Sequence, residues 1–73
     1  MPIIDIHAPM AGSLKELLVA PGESVAEQQE LLIIESMKME IPLESPAGGT
    51  VAEILVTAPQ QIEEGQVLLR LDA

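Results

Sequence analysis

Residues 68–72 read LLRLD, and residues 31–35 read LLIIE. Taken alone, LLIIE is a continuous apolar run that fits a buried strand or part of a buried helix. Its relation to LLRLD removes the ambiguity. Arg70 needs water, so Leu69 and Leu71 on either side of it face a core in a strand of period two. Leu32 and Ile34 occupy the same places 37 residues earlier, and Ile33 matches Arg70.

The same 37-residue shift aligns most of the chain with itself. Pro9 falls on Pro46, Gly12 on Gly49, Leu14 on Val51, Glu16 on Glu53 and Leu17 on Ile54. Farther along, Val25 meets Ile62, Glu27 meets Glu64 and Gln29 meets Gln66. Ile4 and Ile6 fall on Ile41 and Leu43. The chain is two copies of one unit in one register. Two copies are too few for a stacked array, so residues 1–73 are expected to close into one pseudo-twofold domain.

The copies inform each other's faces. MEIPLE (39–44) alternates, with Met39, Ile41 and Leu43 one way and Glu40, Pro42 and Glu44 the other. That pattern predicts a half-buried strand, and Pro42 places it at a sheet edge. In SLKELLVA (13–20) and TVAEILVTA (50–58) the apolar residues fall at i, i+3 and i+4. This is helical spacing, but each segment is short, and the second is rich in Thr, Val and Ile. Strands carrying a bulge or bend accommodate it. Turns are expected at APMAG (8–12), VAPGE (19–23), EQQ (27–29), SPAGG (45–49) and IEEGQ (62–66). The expectation is all-β: eight short strands, four per copy, in a small flattened barrel or sandwich.

Composition narrows the function. Leu, Ile and Val number 23, and there is no Phe, Tyr, Trp or Cys. The core is aliphatic, and thiol chemistry and disulfides are absent. The formal net charge of −9 repels phosphate backbones and anionic lipid, which disfavours nucleic-acid and membrane roles. No apolar run reaches the roughly 18 residues that span a bilayer, and the N-terminal MPIIDIHAP has no basic n-region. A cytoplasmic protein is expected. His7 has no second His or Cys to join in metal binding, and Glu35 and Glu40 flank a turn, where solvated carboxylates are the simpler reading.

ESMKME (35–40) is where the first copy hands over to the second. Lys38, one of three basic residues in the chain, stands there between two of its four methionines. Under the repeat its counterpart is Met1. If the link is a two-residue hairpin, Met37 and Lys38 take positions that favour Gly, Asn or Asp. No sequence chosen for stability alone would put them there.

Met37-Lys38-Met39 after Glu35 and Ser36, followed by SPAGGTV (45–51) and set within an internal repeat, resembles the biotin attachment motif Glu-Ala-Met-Lys-Met. Over essentially all 73 residues the chain is similar to the biotinyl domains of the biotinyl/lipoyl carrier family. That resemblance implies a barrel-sandwich hybrid of two four-stranded sheets with the lysine on a tight hairpin. It implies biotin in amide linkage to Lys38, with Met37 and Met39 as flanking site residues. It further implies a carrier without catalysis of its own, served by biotin protein ligase, biotin carboxylase and carboxyltransferase. A lipoyl carrier and an unmodified structural hybrid domain are the alternatives on this fold. The lipoyl motif typically has Asp-Lys-Ala at the turn, which MKM does not match. Ser36 replaces the usual Ala. Gln28 and Pro59 stand where the family has Gly, while their counterparts Gly65 and Gly22 are kept, so shifted turn geometry is expected. There is no insertion long enough for a protruding thumb.

Overall fold

In the computed structural model, residues 2–73 are described. Eight strands form in chain order: β1 (Ile3–His7), β2 (Gly12–Leu17), β3 (Ser24–Val25), β4 (Glu30–Ser36), β5 (Met39–Glu44), β6 (Gly49–Ile54), β7 (Gln60–Ile62) and β8 (Val67–Asp72). They make two antiparallel four-stranded sheets, ordered β1-β8-β6-β3 and β5-β4-β2-β7. The 37-residue shift turns the first order into the second, so each sheet takes two strands from each copy. Met1, the counterpart of Lys38, lies outside the described residues.

The shift holds in hydrogen bonds as well as in strands. Ala8 N–H donates to Gln66 O at 2.8 Å, and Ser45 N–H to Gln29 O at 2.8 Å. Leu18 N–H donates to Leu31 O and Leu55 N–H to Leu68 O, both at 2.9 Å. Side chains close the turns in the same way. The Gln29 amide oxygen accepts from Ala26 N–H, and that of Gln66 from Glu63 N–H, each at 2.9 Å. Glu23 caps Ala20 N–H at 3.1 Å, and Gln60 caps Thr57 N–H at 3.0 Å. Backbone groups that strand pairing leaves unpaired thus find partners locally.

The three-residue apolar spacing comes from bulges. Leu14 pairs with Ile34 and Glu16 with Ile33, so Lys15 is the extra residue on β2. Val51 pairs with Leu71 and Glu53 with Arg70, which makes Ala52 its counterpart on β6. One inserted residue lets Leu14 and Leu17, or Val51 and Ile54, lie against the same core. A second pair of bulges buries more than alternation allows. Leu31 is passed over between Glu30–Glu44 and Leu32–Leu43, and Leu68 between His7–Val67 and Ile6–Leu69. Both leucines turn inward beside their neighbours, and Leu31, Leu32, Leu68 and Leu69 are all fully buried.

Ile34 and Leu71 are buried as the alternation predicts, and Ile33 is half-buried. Met39 shares the face of Ile41 and Leu43 but not their burial. Ile41 and Leu43 are half-buried, but Met39 is 63% exposed. It pairs with Ser36, two pairs beyond the Ile34–Ile41 pair where the aliphatic core ends. β5 is an edge strand, as Pro42 requires.

Gly12 and Gly49 are matched for a steric reason. A Cβ at Gly12 would lie 2.6 Å from Glu35 O, and one at Gly49 would lie 2.6 Å from Asp72 O. At the turns, Gln28 takes φ 71° where Gly65 takes 85°. Pro59 cannot follow Gly22 to φ 88°, because its ring fixes φ near −65°. The turn there is built differently, with a cis Ala58–Pro59 bond.

Candidate functional site

β4 and β5 join through Met37 and Lys38 alone, closed by the Ser36–Met39 pair. The two turn residues have φ 53° and 64°. Positive φ at both central positions is the type I′ pattern, whose twist matches the flanking strands. Side chains other than Gly or Asn reach it at a cost of about 1–2 kcal/mol each. The turn carries its two long side chains outward: Met37 is 92% exposed, and Lys38 is exposed.

Two ties from the β2 side hold the base of the hairpin. Ser36 Oγ donates to Ala11 O at 3.2 Å, which ties β4 to the loop before β2. Lys15, projected by the β2 bulge, reaches past β4 and forms an ion pair with Glu40 on β5. That carboxylate holds the Lys15 amine above the ordinary lysine value. Arg70 is engaged on the other sheet, with Nε 2.9 Å from Asp5 Oδ1 and Nη1 3.1 Å from Glu53 Oε1. Among the described residues, Lys38 is the one side-chain cation outside an ion pair.

The structure therefore brings Met37, Lys38 and Met39 together at one projecting tip. Beneath it lies an open groove of about 320 Å³ bordered by Gly12, Ser13, Glu35, Met37, Lys38 and Gln61. Ser13 and Gln61 escape sequence reasoning, because their place depends on β2 pairing with β7, 48 residues apart in the Ser13–Gln61 pair. His7 is used structurally. Its Nδ1 lies 2.9 Å from Gly65 O and so carries the donated proton, since a carbonyl only accepts. Among the described residues no group of three or more His, Asp or Glu side chains is placed to hold a metal ion.

Residues 4–71 match the family described as "Biotin-requiring enzyme". The chain belongs to that family. Within it, this biotinyl domain is 42% identical over 40 residues to the mitochondrial propionyl-CoA carboxylase alpha chain of Caenorhabditis elegans, a match covering 55% of this chain and 6% of that one. It is 52% identical over 33 residues to the biotin carboxyl carrier protein of Streptococcus mutans, covering 45% of this chain and 25% of that protein. A solved single-chain, multi-domain long-chain acyl-CoA carboxylase superposes on 93% of the biotinyl domain with a TM-score of 0.89 and 28% identity, over 7% of its own length. The chain thus spans only a small part of these relatives.

Proposed function

We propose that this biotinyl domain is a carboxyl carrier that presents biotin in amide linkage to Lys38 Nζ. The observation that carries the reading is the display of Lys38. Its amine stands on a two-residue turn with positive φ at both positions, outside any ion pair among the described residues, between two exposed methionines. Such a tip lets a biotin protein ligase enclose the amine without unfolding a strand. There the neutral amine attacks the activated biotin carboxyl, an amide bond forms, and the activating group and a proton leave. The product is uncharged at Lys38, so the formal charge falls by one from −9.

Once attached, biotin accepts a carboxyl group at a biotin carboxylase and delivers it to an acceptor at a carboxyltransferase. The protein performs no catalysis. The hairpin fixes one end of a long flexible arm, and the tether keeps the ring at a high effective concentration near both sites without dissociation. Met37 and Met39 offer soft, adaptable apolar contacts to whichever partner encloses the tip.

Intact-mass measurement and peptide mapping after treatment with a biotin ligase test this. One biotin per chain, on Lys38, is expected. Lys38→Arg keeps the charge and the fold but takes no biotin. Label on Lys15, label surviving in Lys38→Arg, or lipoate in place of biotin would overturn the reading.

A further inference from the structure

The groove beside the hairpin has a use that its lining suggests. Ser13 on β2 is the cross-strand partner of both Glu35 on β4 and Gln61 on β7. The three form one row across adjacent strands. They point outward, because their neighbours Leu14, Ile34 and Ile62 point into the core. The row spans two strand spacings, roughly 10 Å. Glu40, next in the row on β5, is taken by Lys15, whereas among the described residues no side-chain hydrogen bond engages Glu35, Ser13 or Gln61.

We propose that this groove is a resting site for the ureido ring of the domain's own biotin, held by Glu35, Ser13 and Gln61. The inference rests on biotin being attached at Lys38. A ureido group offers two N–H donors and one carbonyl acceptor. Glu35, an ionised carboxylate, only accepts, and a charge-assisted N–H bond to it is the strong kind. The Ser13 hydroxyl and the Gln61 amide can donate to the carbonyl. Met37, on the rim, supplies a polarizable surface for the sulfur-containing ring.

Reach is not limiting. Lysine's four-carbon stem and the biotin acyl chain together can carry the ring back over the strands below. Affinity need not be high either. A short tether holds the ring at an effective concentration of about millimolar, so a contact of that strength is populated. Transfer of a carboxyl group to a ring nitrogen replaces its N–H by negative charge, which Glu35 repels. The groove therefore favours the unloaded ring and releases the loaded one.

The test compares amide chemical shifts of unbiotinylated and fully biotinylated protein, the latter verified by mass with its label on Lys38. Biotinylation should shift Gly12, Ser13 and Gln61 as well as the hairpin. In the second sheet, Thr50 and Ser24, part of the equivalent row with Asp72, should not move. In Ser13→Ala/Gln61→Ala, the shift at Gly12 should fall at least twofold while that at Met39 persists. Changes confined to residues 36–40, or a Gly12 shift that survives the double substitution, would overturn the resting site while leaving biotin on Lys38 intact. Failure to label Lys38 would instead remove the carrier reading itself.

Discussion

Among the described residues, three that are not glycine have positive φ: Gln28 at 71°, Met37 at 53° and Lys38 at 64°. They separate into two kinds. Gln28 is exposed, its N–H is bonded to Ser45 O at 2.7 Å, and its counterpart is Gly65. Glycine there keeps the backbone bond and removes a left-handed cost of about 1–2 kcal/mol, offset by roughly 0.5–1 kcal/mol of glycine entropy. Gln28→Gly should therefore stabilise by about 0.5–1 kcal/mol, raising Tm by several degrees in a domain of this size. An unchanged or lower Tm would show that Gln28 is not strained. Met37 and Lys38 have no such neutral explanation. Replacing both together by Asn-Gly, the pair a type I′ turn prefers, should raise Tm further and abolish biotinylation. Stability gained with the label lost would show that the turn sequence is kept for its side chains. This much was open to sequence reasoning, since a two-residue hairpin at Met37-Lys38 implies positive φ. The ties holding the hairpin were not. Ser36 meets Ala11 and Lys15 meets Glu40 only because β2 lies beside β4 with a bulge at Lys15, and the choice of bulge residue has no sequence signature.

At the scale of the element, the repeat made the strands legible where periodicity alone did not. It placed Arg70 and Ile33 outward, while the three-residue spacing of β2 and β6 pointed to strands with a bulge or bend. It did not reach Leu31 and Leu68. Strict alternation would turn both away from the core, yet both are fully buried because the partner strand's register passes over them. A bulge of that kind depends on how two strands from different copies meet, which a single strand's pattern does not contain. The same limit explains Met39, whose alternation with Ile41 and Leu43 is sound but runs past the end of the core. Urea unfolding of alanine variants measures this directly. Leu32→Ala and Leu69→Ala should each cost about 2–5 kcal/mol, and Leu31→Ala and Leu68→Ala should cost as much. Ile33→Ala, half-buried opposite Pro42, should cost clearly less. If Leu31→Ala were as mild as Ile33→Ala, the inward turn at the bulge would be wrong.

At the scale of the whole molecule, the two copies do not fold as two halves. Among the described residues, only the β2–β4 ladder is internal to residues 2–37, and only β6–β8 to residues 38–73. β1 pairs with β8, β3 with β6, β5 with β4 and β7 with β2, each joining one copy to the other. The bonds around Ala8 and Ser45 cross between copies as well. Cutting the chain between Met37 and Lys38 removes one covalent link at an exposed turn and no strand pairing. Each fragment then keeps one two-stranded ladder, which is marginal in water at best, and leaves its apolar face uncovered. Either half alone is accordingly expected to show no cooperative thermal transition by circular dichroism as a monomer. Mixed in equal amounts, the halves regain all the pairings, and a β spectrum with a concentration-dependent Tm is expected because folding has become association. Analytical ultracentrifugation separates the outcomes. A folded monomeric half, or a mixture that stays unfolded at concentrations where the intact chain is stable, would mean that the exchange of strands between copies does not control stability.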